Sequence, residues 1–461
     1  MSNLIAKNIG VLVTMDDERS ELSDVNIVIR DGIIEQISNR NNLSVGGPSE
    51  TLDLSGHIVF PGLINTHHHM YQTLTRAVPG AQNVGLFEWL RTLYPIWGRM
   101  DGNAVYASAL VGMAELLLSG CTSSSDHLYM YPNGATLDDT IRAAYEIGMR
   151  FHPTRGSMSV GESDGGLPPD NLVEKESDIL RDSQRLIEKY HNSEVGSMLQ
   201  VGLAPCSPFS VSSDLMIETA SMARAYGVRM HTHLAETQDE EKYCLERFGK
   251  RPLEYVMDLG WDNHDVWFAH MVHCCNSDIN ALATNGIAIA HCPSSNMRLG
   301  SGVSPIRRML KQGVDVGVGV DGSASNDGGH MLAEIRQAML LARLADALES
   351  VDEIASPIDR QFTAREALEI GTIGGAAALG RTDIGRLQVG KCGDFFAIDM
   401  NKIYYAGGLS DPVASAVFCA SHNVDVVVVN GKVVVQDGML QTMSMDSVVK
   451  RHNRISAEMV S

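Results

Sequence analysis

Residues 62–74, GLINTHHHMYQTL, put three consecutive histidines at the end of an apolar run. The run, Ile58 to Ile64, reads as a short buried strand, and successive side chains of a strand face opposite ways. If the strand continues, His67 and His69 share one face and His68 takes the other. Two imidazoles on one face can share a metal ion. A polar strand end in solvent needs no partner, and this stretch alone does not separate the two readings.

Working outward, seven more short apolar strands follow at Thr122–Asp126, Arg150–Thr154, Gln200–Ala204, Arg229–His233, Val266–His270, Ala288–His291 and Val316–Val320. Helical patterns such as AVYASALVGMAELLLSG and SSDLMIETASMARAYG lie between them and end at Gly120 and Gly227, as helix C-termini prefer. Eight β-then-α units predict an α/β protein of the (β/α)8 barrel type rather than an open doubly wound sheet. The two ends share a different texture. VNIVIRDGIIEQIS turns at Asp31-Gly32 and VDVVVVNGKVVVQDG at Asn430-Gly431, both hairpin signals, and GKCGDFFAID adds another strand. The expected organisation is a small β-sandwich domain made by both termini, residues 1–60 and 386–461, around a barrel spanning 61–385. Residues 161–171, GESDGGLPPDN, read as a lid-like loop.

The chain has 461 residues, 44% of them hydrophobic, enough for a sizeable core. A formal charge of −20 with no basic surface argues against a nucleic-acid partner. No stretch reaches membrane-span length and MSNLIAKNIG lacks a signal peptide's regions, so no membrane partner and a cytoplasmic location are expected. The eight cysteines include no CxxC pair, so a metal, if present, falls to histidine and carboxylate.

Barrel enzymes carry their chemistry at the C-terminal ends of the strands. There the first strand offers His67 and His69, the fifth His231, His233 and Glu236, the sixth His270 and His273, the seventh His291 and the eighth Asp321. A single strand-end histidine is commonly structural. His231, two residues before His233, is read that way, pointing into the barrel wall. Successive strand ends carrying imidazole are not scatter. Three imidazoles and one carboxylate suit one divalent ion, zinc by default, that lowers the pKa of a water to ~7. Asp321 then serves as ligand and proton acceptor. Glu236, too close to His233 to ligate easily beside it, suits a proton donor facing the substrate.

PGLINTHHH, HTHLAET, AHMVH, AHCPSSNMRLGSGVSPIRRML and VGVGVDGSASNDGG together resemble the amidohydrolase superfamily, in its branch of cytosine, guanine and adenosylhomocysteine deaminases and triazine hydrolases. The resemblance covers essentially the whole chain. It implies His67, His69, His233 and Asp321 as metal ligands, His68 as the residue between, and Glu236 as proton shuttle. His270 is implied beside the water that the ion activates. Most members assemble as oligomers, so a homo-oligomer is expected. The substrate implied is a small heteroaromatic ring. DHLYMYPNG and the intact PSSN stretch make a free oxidised purine, 8-oxoguanine, the closest text, with isoxanthopterin, guanine, a hydroxy-s-triazine or a nucleoside as alternatives. Gln72 can donate and accept toward a purine edge. Trp97 is expected to stack on the ring or to pack, Trp89 to pack, Arg155 to bind a ring oxygen or anchor the loop, and Cys206 to contact the ring or pack.

Overall fold

The computed structural model describes residues 3–39, 49–349, 361–419 and 422–461. Its centre is a closed barrel of eight parallel strands in chain order. These are β1 (Leu63–Asn65), β2 (Cys121–Leu128), β3 (Arg150–Ser157), β4 (Gly202–Pro205), β5 (Met230–Leu234), β6 (Val266–His270), β7 (Ala288–His291) and β8 (Val316–Val318). Each falls on its expected segment, because a strand buried on both faces must be an unbroken apolar run.

The termini build a separate nine-stranded mixed sheet. Its halves join where Phe395–Asp399 pairs antiparallel with His57–Pro61, and Phe60 and Phe396 stack there with centroids 5.1 Å apart. The two hairpin turns meet. A Cβ on Gly32 would lie 1.9 Å from Asn430 Oδ1, and Gly32 also needs φ +83°, so only glycine fits. Strand His57–Pro61 runs almost directly into β1. Arg150 at the start of β3 reaches back to Asp394 through Nε at 2.7 Å and Nη2 at 3.0 Å, tying barrel to sheet through a buried pair.

The C-terminal helix Met445–Val460 packs on the helix Gly102–Leu118 and on the turn Met70–Thr75 that follows the three histidines. Its His452 Nε2 lies 3.0 Å from Thr73 Oγ1, which donates to the Ser108 carbonyl, so the imidazole is the donor. Burial and nearby Arg76 hold the His452 pKa down to about 4. A histidine depressed in the folded state binds protons preferentially when unfolded. Its contribution is therefore complete above about 6.5 and is lost as pH falls toward 4. His452→Gln keeps an N–H donor without a titrating ring. In thermal melts it should match the wild type at pH 8 and exceed it at pH 5; a constant difference at both would refute the assignment.

Candidate active site

The three histidines leave β1 between two neighbours. Asp321 N donates to the His67 carbonyl at 3.0 Å from one side, and His127 N to the His68 carbonyl at 2.7 Å from the other. Met70 N donates to Asp126 Oδ1 at 2.9 Å, which ends the extended run. The other strand ends turn sharply: Ala235, His270 and Asp321 have φ of 51°, 74° and 59°. Such left-handed backbone costs ~1–3 kcal/mol per residue and concentrates where the fold must aim a side chain.

His67, His69, His233 and Asp321 are brought together. His67 Nε2 and His69 Nε2 each lie 3.3 Å from Asp321 Oδ1, and His69 Nε2 lies 2.9 Å from His233 Nε2. The outer ring nitrogens face acceptors. His69 Nδ1 donates to the His127 carbonyl at 2.7 Å and His233 Nδ1 to the Cys206 carbonyl at 2.6 Å. A neutral imidazole that donates through Nδ1 presents a lone pair at Nε2, the arrangement metal-ligating histidines adopt. Burial lowers the pKa of all three imidazoles, to about 3 for His233, so they are neutral. His67 Nε2 is fully buried and makes no hydrogen bond among the described residues. Buried lone pairs converging on a carboxylate suit a divalent cation and little else.

His270 and Glu236 stand beside this cluster. His270 Nδ1 donates to Asn296 Oδ1 at 2.9 Å, while its Nε2 lies 3.6 Å from Glu236 Oε2 and 3.9 Å from Asp321 Oδ2. Burial opposes a charged His270, but Glu236 and Asp321 outweigh it and raise its pKa. Burial pushes Glu236 up to about 7, in the range a proton shuttle needs at neutral pH. The Glu240 carboxylate accepts from Ala235 N and Glu236 N at 2.9 and 2.8 Å and so orients the loop carrying Glu236.

A cavity opens on the cluster. Gln72, Cys206, Trp89, Tyr94, Tyr129, Leu86, Leu90, Phe209, Leu299 and Ser325 line it together with His69, His233, Glu236, His270 and Asp321. Gln72 reaches it because residue 322 is glycine: a Cβ there would meet Gln72 Oε1 at 1.9 Å. Cys206 is a neutral thiol, pushed up to about 12 by burial.

Two expectations about the cavity wall are corrected in part: for Trp97 and Arg155 the structure takes the packing and anchoring alternatives, not a place at the cavity. Trp97 is outside the cavity: its indole is wholly buried, donates to Thr75 Oγ1 at 3.0 Å and packs edge-on against Tyr71 and Trp89. Trp89, one helical face away, lines the cavity instead, with Nε1 donating to the Ala324 carbonyl at 3.2 Å. Arg155 also lies away from it. Its guanidinium is taken up by Glu174 at 2.8 and 2.9 Å and Asp182 at 3.0 Å, over the Tyr131 ring. It anchors the end of the segment that contains 161–171, which is closed by its own bonds, such as Glu162 N to the Pro168 carbonyl. His231 is a third correction. It faces inward, because residues two apart in β5 share a face, and it touches His67.

Sequence reading missed His127, whose ring nitrogens approach those of His67, His69 and His233. Extending the second strand by alternation from Ser123 and Ser125 finds it. Tyr94, Tyr129, Phe209 and Leu299 carried no such signal.

The barrel, the terminal sheet and the strand-end cluster define a class. The chain matches the Amidohydrolase family model over residues 58–434 and belongs to that family. It is a metal-dependent hydrolase, and its buried histidine-rich cluster has the donor chemistry to hold a divalent ion. Over 437 residues, 94% of this chain and 95% of the relative, it is 42% identical to 8-oxoguanine deaminase of Pseudomonas aeruginosa. It is 37% identical to hydroxydechloroatrazine ethylaminohydrolase of Pseudomonas sp. strain ADP, covering 93% and 89% of the two chains. Atrazine chlorohydrolase of Arthrobacter aurescens TC1, solved with zinc, superposes with a TM-score of 0.92 at 32% identity, covering 98% of this chain and 100% of that one.

Proposed function

We propose that the protein deaminates a free oxidised purine base hydrolytically, converting 8-oxoguanine and water to urate and ammonia. The observation that carries this is the placement of Glu236, poised near neutrality, beside the metal-type cluster in the cavity. The similarity to 8-oxoguanine deaminase supports the particular ring.

His67, His69, His233 and Asp321 would hold the ion, which supplies a hydrolytic water of lowered pKa and electrophilic polarisation of the ring. Asp321 accepts a proton as the water oxygen bonds to the carbon bearing the amino group. Glu236 gives its proton to the adjacent ring nitrogen, so charge does not accumulate on the ring. His270, held by Asn296, stabilises the oxygen in the tetrahedral species. The C–N bond then breaks: the departing amine takes the proton from Asp321 and leaves as ammonia, the hydroxyl proton passes to Glu236 and restores its acid form, and the oxygen remains as a carbonyl. The walls suit a flat ring: Trp89, Leu86, Leu90, Phe209 and Leu299 offer apolar area, and Gln72 Oε1 and Tyr94 Oη are buried polar atoms with no hydrogen-bond partner among the described residues. No carboxylate other than Glu236 and Asp321 lines the cavity among the described residues, which favours a base over a nucleoside.

Ammonia release with 8-oxoguanine, guanine, isoxanthopterin, adenosine and hydroxyatrazine tests the reading. Turnover of 8-oxoguanine well above the others is expected. Preference for another ring would keep the chemistry and replace the substrate. Within the same assay, Trp89→Ala should raise KM about tenfold or more, while Trp97→Phe should leave KM near the wild-type value.

A further inference from the structure

His231 is wholly buried and stacked on Trp267, ring centroids 4.5 Å apart and 18° from parallel. Its Nδ1 lies 2.8 Å from the Trp267 carbonyl and its Nε2 lies 2.7 Å from His67 Nδ1. A carbonyl oxygen only accepts, so the His231 proton is on Nδ1. In a neutral ring the His231 Nε2 is then an acceptor, and the proton between the two rings belongs to His67 Nδ1. That leaves the His67 Nε2 lone pair facing the Asp321 carboxylate at 3.3 Å.

The other two imidazoles of the cluster have their tautomer set by a carbonyl directly. His67 is held by a second imidazole, which can accept or donate at the same nitrogen. The polarity must come from elsewhere, and the Trp267 carbonyl supplies it one ring away.

We propose that His231 is a positioning residue, the middle of a relay from the Trp267 carbonyl through His231 to His67, which fixes His67 in the tautomer that offers Nε2 to the metal. The relay rests on the metal-centre reading above. Its role is orientation, since His231 touches neither the cavity nor the reacting atoms.

His231→Phe keeps the ring volume and the stack on Trp267 but has no acceptor for His67. His231→Gln places an amide oxygen near the Nε2 position. Zinc affinity is measured by chelator competition, with circular dichroism and apo-protein melting as checks on folding. His231→Phe should bind zinc about 10–100-fold more weakly, and His231→Gln should recover most of that loss. Wild-type affinity in His231→Phe, or equal losses in both variants, would overturn the relay. A second arm needs no variant: in ¹⁵N-histidine-labelled wild-type protein, two-bond nitrogen–proton correlations should show His231 and His67 each protonated at Nδ1. An Nε2-protonated His231 would overturn the relay even with zinc bound normally. A wild type that binds no zinc would instead overturn the metal-centre reading, leaving the relay to be judged by the tautomers.

Discussion

Glu236→Gln is expected to lower kcat by ~10²–10⁴-fold while zinc content and melting temperature stay at wild-type values. Glutamine keeps the shape of the side chain and removes only the transferable proton. The carboxyl contributes no atom to the groups of close metal-type donors, and its backbone is held by Glu240 whatever the side chain is. Because burial places Glu236 at about 7, its protonated form falls away as pH rises through that value. The wild-type kcat/KM profile should therefore decline on its alkaline side, and the residual activity of Glu236→Gln should lack that limb. Undiminished turnover in the variant would move the shuttle elsewhere.

Adjacent histidines should behave oppositely. His69→Ala is expected to weaken zinc binding at least 100-fold and to abolish turnover, because it removes one of four converging donors. His68→Leu is expected to retain full zinc and activity. His68 is just as buried, but neither of its ring nitrogens has a partner among the described residues, and Nε2 points toward Gly112 of the neighbouring helix. Burial drives its pKa down to about 3, so the ring is neutral. Replacing an unsatisfied polar group with an apolar one of similar volume removes a desolvation cost of ~1–3 kcal/mol, so the melting temperature should hold or rise. Metal analysis of both proteins decides it. Loss of zinc from His68→Leu would mean that the alternation is wrong by one residue.

That alternation was legible because a strand's side-chain period is fixed by its backbone, so HHH after an apolar run separates His67 and His69 from His68 without any tertiary information. The same local logic located all eight barrel strands and both terminal hairpins. It failed where position depends on rotation about a helix or on who arrives from elsewhere in the chain. Trp89 and Trp97 lie eight residues apart on the helix Leu86–Trp97, both buried, and only the course of that helix across the barrel mouth puts one at the cavity and the other behind it. Arg155 stands at a strand end, as a binding residue would, but Glu174 and Asp182 return from later in the chain to occupy it.

The class of fold, the split terminal sheet and the placement of His67, His69, His233, Asp321 and Glu236 at neighbouring strand ends were all legible in the chain alone. These follow from covalent periodicity, from strand ends being where a barrel aims its side chains, and from the donor chemistry of histidine and carboxylate. Long-range contacts set which indole lines the cavity, that Arg155 is already paired, and that His231 turns inward to meet His67. Those depend on contacts between residues distant in the chain, where packing and hydrogen-bond polarity, not local pattern, choose the partner.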